Sequence, residues 1–529
     1  MAPILQVPVQ HSNFKLDASG VAGFFGGEEA ISAMSTVHLY KGRKWVGWYN
    51  MPGSYTIGKY YGRIASSRWW DGLFPGPNNS PAKAFGLDGK RGPKYIGMCS
   101  GTKLRAAHLA QLFVEKCKDK CWEVTDVPGR RKTTPNIVSV VELKHEPTNI
   151  VPIESVQSAL LAIIPIFFSF MTCVLCTLAE DWWAASLILL GIVAGGVSCY
   201  VIGSGKLILD YHSRPSAGVP PGDGFLHTTE SNDMTVVLGP ENLVNVLTKG
   251  TFKIKLDGEP EYRRVGLVAL LLETQFFFQL LFIPQATLFG QIMFVTSLAV
   301  SWVYTSYLSS KEKDKIQADL LWGALGRPKV RRYNLATRGD AATFIALVLK
   351  AEDPEKVLAE FLKNDTRVWN KWRKTVSDRI KSADGLEFSP ADWNIGEFSE
   401  DERKLYELQL ISARDGYRGY RQYCKHQETE SEGSTAQSSE ESVPASIMTT
   451  KVRPMLMSMS TLVSLGRLSL KSAGTNVREI CARLLGVLTP PRRPTSTPGP
   501  SLDMGATSVT PQASGPDTET RESSDSVAA

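Results

Sequence analysis

The sequence lacks the short patterns that announce most enzymes. It has no HExxH zinc motif, no GxSxG nucleophile elbow and no dinucleotide glycine fingerprint after a strand. Its one near match to a phosphate-binding loop, Gly203-Ser204-Gly205-Lys206, has Tyr200 where the pattern needs glycine and Leu207 where it needs Ser or Thr. Histidine is sparse and scattered, with seven in 529 residues. Cysteine is sparse too: of eight, Cys173, Cys176 and Cys199 lie in apolar runs, where small packing side chains are the plain reading. Cys117 and Cys121 stand one helical turn apart as half a zinc site, but no matching Cys/His pair stands elsewhere. These absences argue against a disulfide framework, a metal centre, a bound cofactor and an enzyme of familiar type, so no catalytic, metal or cofactor residue is expected. The opening MAPILQVPVQHSNFKLD is too polar too early for a cleaved signal peptide.

Charge is missing from long stretches, and this is what the sequence says most clearly. Residues 155–179 and 182–205 carry none, and 265–310 is broken only by Glu273. Roughly 20 apolar residues cross the ~30 Å hydrocarbon core as a helix. The first two runs predict spans near 157–178 and 182–203. The third is too long for one crossing, and Pro284-Gln285 divides it into spans near 265–283 and 287–308, with a re-entrant or interfacial 265–283 as the alternative. The predicted fold class is an α-helical integral membrane protein with four transmembrane helices in two short hairpins.

Charge also predicts the orientation. Glu180 and Asp181 sit in the first tight turn with no base, and the 284–286 turn is uncharged. The other flanks are basic: Arg130, Arg131, Lys132 and Lys144, then Lys206 and Arg214, Arg263 and Arg264, and Lys311, Lys313 and Lys315. Lys and Arg near span ends stay cytoplasmic. Both termini and the 206–264 loop are therefore expected in the cytosol, of a plasma-membrane or endomembrane protein, with Trp182 and Trp183 as interfacial anchors on the far side.

Outside the spans, residues 1–154 hold 20 Lys/Arg against 12 Asp/Glu. They read as a small basic α+β domain, with a strand hairpin over STVHLY and WVGWYN, a helix over 105–121 and a strand over 136–145. Its aromatics interleaved with bases over 41–70 suit a bilayer surface better than nucleic acid, or are ordinary core residues. The 206–264 loop reads as a small strand–helix–strand unit and 311–425 as a helical region. The tail, 426–529, has the Ser/Thr/Glu/Pro composition of disorder, with one helical island at 475–488.

A few residues invite specific readings. Glu273, about nine residues into a span, is costly there unless it faces the bundle interior or water, so it is a candidate proton or cation site; a packing role through hydrogen bonds, or a span that begins later and leaves Glu273 at the interface, is the alternative. Gly191, Gly195, Cys199 and Gly203 form a smooth face that lets another helix approach, either the first span or a second copy. Arg327, Lys329, Arg331 and Arg332 are candidate anionic-lipid contacts, or a solvated face. Thr489, Thr497 and Thr510, each before proline, are candidate phosphorylation sites.

Three functions fit: a non-enzymatic membrane-anchored scaffold or adaptor with cytosolic protein partners, an oligomeric transporter or channel subunit using Glu273, or a membrane-shaping hairpin protein. The HSNFKLD opening, KGRKWVGWYN, RRYNLATRGDAATF and the Ser/Thr/Pro-rich tail together resemble uncharacterised multi-pass membrane proteins of mushroom-forming (basidiomycete) fungi. That resemblance implies neither an activity nor a site residue.

Overall fold

The computed structural model describes residues 25–438 except 66, 78–79, 130–134, 213–216, 229–231, 383–385, 394–395 and 397. The HSNFKLD opening, Arg130–Lys132, Arg214, the 475–488 island and Thr489, Thr497 and Thr510 lie outside the described residues.

Four helices, Val156–Leu178, Trp182–Gly203, Arg263–Phe282 and Leu288–Ser309, are long and apolar enough to cross a membrane. Side chains at their starts fix where three of them begin: Ser155, Asp181 and Thr287 accept from the backbone N–H three residues on. The first helix is peripheral and turns Leu160, Ile163, Phe167, Met171 and Val174 outward. The second is central, with 61% of its apolar window buried against 28% in the first. An apolar outer belt of this extent suits lipid rather than water.

The third and fourth helices make few contacts with each other. Between them sits an inserted segment from the N-terminal region. Helix Gly27–Met34 packs along the fourth helix, and helix Ser54–Gly62 packs along the third. The strand hairpin expected from STVHLY and WVGWYN is absent: 3-10 turns at Ser35–Val37 and Arg43–Trp45 take its place. The aromatics that suggested a half-buried strand pack instead on helices, Trp45 on Tyr200 and Tyr49 on Tyr304. Tyr40 bridges Ile153, and Lys41 pairs with Glu154 at 2.6 Å, holding this turn at the end where the first helix begins. From there residues 46–50 run along the second helix to its middle. Gly53, at φ 71°, reverses the chain, and helix 54–62 returns along the third.

The glycines of the second helix explain the path. A Cβ on Gly195 would lie 2.7 Å from the Tyr49 carbonyl oxygen, one on Gly203 2.4 Å from Val37, and one on Gly47 2.2 Å from the Cys199 Cβ. The smooth face of Gly191, Gly195, Cys199 and Gly203 thus receives residues 37–51 of the same chain.

Beyond this end of the bundle lies a seven-stranded sheet. Its strands are β1 (Lys94–Gly97), β2 (Lys103–Arg105), β3 (Val124–Asp126), β4 (Asn136–Glu142), β6 (Gly224–His227), β7 (Met234–Leu238) and β9 (Val330–Leu335), in the order β2-β1-β6-β7-β4-β9-β3. Only β4–β7 and β3–β9 pair in parallel. A separate pair joins β5 (Lys206–Asp210) to β8 (Thr251–Lys255). Segments that read separately along the chain therefore share one sheet. Alternation puts Val138, Val140, Val236 and Tyr333 into a core with the C-terminal helices. Val141, Val237 and Leu226 enter the other core, with helices His108–Cys117, Glu241–Thr248 and Lys313–Ala324.

Candidate functional site

The inserted segment carries polar groups to mid-bundle. Asn50 is fully buried, and its backbone N–H donates to Ser169 Oγ at 3.0 Å, near the middle of the first helix. Ser297 Oγ, near the middle of the fourth helix, donates to the same oxygen at 3.2 Å. Asn50 Oδ1 lies against Gly191, where a Cβ would meet it at 2.0 Å and Gln275 Nε2 at 3.3 Å. From Gln275 the polar line continues to Gln279 Oε1 at 3.4 Å, and Gln279 donates to the Leu187 carbonyl at 3.4 Å. Among the described residues, both side-chain polar atoms of Asn50, Gln275 Oε1, Ser301 Oγ and Ser54 Oγ are buried without a hydrogen-bond partner. An unsatisfied buried amide costs roughly 1–3 kcal/mol, so such groups point to an occupant.

Arg43 lies at the sheet end of this seam. It is 3% exposed, with its guanidinium 5.2 Å from the Tyr304 ring centre, and no carboxylate pairs with it among the described residues. Tyr304 donates to the Ser158 carbonyl at 3.3 Å. Helix 54–62 begins beside Asn50 with no side-chain cap and no acid in its first turn, so its positive end faces the seam. Nearby, His38 donates through Nδ1 to the Gly205 carbonyl at 3.2 Å, and burial pushes its pKa down to about 4, keeping it neutral.

Asp181 closes the opposite end. Its carboxylate accepts from Ala184 N at 3.1 Å, Thr287 N at 2.8 Å and Thr287 Oγ1 at 2.6 Å, joining the connection after the first helix to that after the third. Beside it Trp183 stacks on Phe282 at 5.0 Å.

The other sequence candidates fall elsewhere. Glu273 is half-buried against Gly58 of the short helix, with Lys59 as its nearby charge, and makes no hydrogen bond among the described residues. Arg327, Lys329 and Arg331 line one open cleft of about 780 Å³ with Lys144, His145, Glu142 and Glu428. Arg332 does not join them: alternation along β9 turns it inward, 7% exposed, to donate to the Asp119 carbonyl at 3.2 Å. Among the described residues no three His, Cys, Asp or Glu side chains converge as metal ligands.

Sequence reasoning missed Asn50, Ser169, Gln275 and Ser297. One signal was present: residues 45–58 contain no charge, a length suited to a segment that enters a membrane and turns back. Comparison with protein-family models, with curated proteins and with solved structures finds no match to this chain.

Proposed function

We propose that this is a multi-pass membrane protein whose bundle passes small uncharged polar solutes along the Asn50 seam, with the sheet and both termini on the cytosolic side. The observation that carries the reading is a non-helical stretch, residues 46–53, that reaches mid-depth of four membrane-length helices and carries the unpartnered amide of Asn50 there. Irregular backbone at that depth is tolerated where protein buries it or where it lines a polar path. Helices broken at mid-membrane are a recurrent way to build a solute site. The buried Arg43 and the positive end of helix 54–62 disfavour cations, and the seam's own amide and hydroxyl groups are neutral, which suits uncharged polar solutes. In this structure the seam is closed by packing, so passage requires the inserted segment to shift.

The test is permeability of proteoliposomes containing the full chain to water, glycerol and urea, with K⁺ flux as the counter-measurement. Asn50→Leu is expected to lower the solute permeability at least about tenfold, with K⁺ flux at the protein-free level throughout. Glu273→Gln is expected to leave both unchanged. If wild-type vesicles are no more permeable than empty ones, the reading fails and a membrane-anchored scaffold replaces it.

The orientation rests on the basic flanks and has its own check. Glu180 is exposed in the first turn, whereas Asp181 is buried. Glu180→Cys, in a background without the native thiols, is expected to react with an impermeant maleimide only from the non-cytosolic side. Labelling from the cytosol would reverse the assignment.

A further inference from the structure

A second site lies where the fourth helix meets the sheet. Immediately after Ser310 the chain reads KEKDK, and Lys311, Glu312, Lys313, Asp314 and Lys315 line a hollow that continues into a cleft at the sheet edge. That cleft, of about 630 Å³, lies between edge strand β2, strand β1 and helix 108–117. Lys90, Arg91, Lys94, Lys103 and Arg105 line it, against Glu115 and Asp314 alone.

Most of these charges are already engaged. Lys90 pairs with Asp314 at 2.5 Å, and Lys94 and Lys103 share Glu360 at 2.6 Å each. Arg91 and Arg105 are exposed and make no ion pair among the described residues. Two guanidinium forks held beside a pair of lysines match a phosphate group better than a single carboxylate. At the same end of the bundle, Trp69 is 71% and Trp45 58% exposed, and Lys311 lies 4.3 Å from the Tyr307 ring centre. Aromatics and bases gathered at helix ends mark the headgroup level of a bilayer.

We propose that this cleft holds the phosphorylated headgroup of an anionic membrane lipid. The inference rests on the four helices crossing a bilayer, but not on solute passage. Its size, about 630 Å³, fits one headgroup, whereas nucleic acid would need a basic stripe extending over many phosphates.

The test uses the full chain in phosphatidylcholine nanodiscs. It is titrated with a short-chain phosphatidylinositol bisphosphate and, separately, with the soluble inositol phosphate of the same headgroup. The lipid is expected to bind, at least tenfold tighter than the soluble headgroup. The double variant Arg91→Ala/Arg105→Ala is expected to bind it about 30-fold more weakly. Arg327→Ala/Lys329→Ala, in the other basic cleft, is expected to stay within about twofold of wild type. Both arginines of the first pair are on the surface, so an unchanged melting temperature separates lost binding from lost folding. Absence of lipid binding, or undiminished binding by the first variant, would overturn the proposal. Equal affinity for the soluble headgroup would also overturn it, by assigning the cleft to a free phosphate compound.

Discussion

Asp181→Ala is expected to destabilise the bundle by about 3–5 kcal/mol, among the largest effects of any single exchange. The carboxylate accepts three hydrogen bonds and is 3% exposed. Hydrogen bonds to a charged group contribute ~1.5–3 kcal/mol each, and loss of a helix N-cap alone costs ~1 kcal/mol. Alanine also leaves the Thr287 N–H and hydroxyl without their shared acceptor, where water has little access. Asp181→Asn keeps one acceptor oxygen and is expected to lose about half as much. Denaturant unfolding in a fixed detergent, followed by tryptophan fluorescence, measures both. A loss below about 1 kcal/mol for alanine would show that the two connections are held together by packing alone.

Gly195→Val is expected to expel the inserted segment. At this position the obstacle is the Tyr49 carbonyl oxygen at 2.7 Å, with Gly47 O at 3.2 Å and Met51 Cβ at 3.3 Å. Backbone oxygens cannot rotate away as a side chain does, so the segment or the helix must move. Overpacking costs ~1–3 kcal/mol where neighbours can adjust, and here about 4 kcal/mol or more is expected. Residues 43–62 are expected to lose most of their protection from hydrogen exchange, while the sheet keeps its own. Gly72→Ala, where an added Cβ meets nothing within 4 Å, serves as the control and is expected to be neutral. Full protection of residues 43–62 in Gly195→Val would rule out the close approach described above.

The four membrane-length helices were legible because uninterrupted apolar runs carry their meaning locally. The inserted segment was not. WVGWYN offers alternating large residues that suit a strand as well as a packed turn, and only the glycine face of the second helix decides between them. That face was itself visible, but a smooth helix surface accepts any close partner, and its spacing does not name one. Glu273 drew attention because it is the one charge in its run. The polar groups that meet inside come from Asn50, Ser169, Gln275 and Ser297, ordinary residues made exceptional only by convergence. In the basic cluster, the two-residue period of β9 separates Arg331 from Arg332, and no reading of composition shows which of the two faces outward.

The order of the sheet bears on how the chain is made. β4 precedes all four membrane-length helices, its parallel neighbour β7 lies between the second and third, and its antiparallel neighbour β9 follows the fourth. β3 pairs with β9 alone, so it waits without a partner until residue 335 has been synthesised. Pairings between such distant segments are slow to form and leave edges open meanwhile. The sheet therefore cannot close before the fourth membrane-length helix has been made, and its closure requires both pairs of helices to have delivered their ends to the same side. A chain in which one pair of helices ran the other way would be left with an unfinished sheet, because β4 could not meet both β7 and β9.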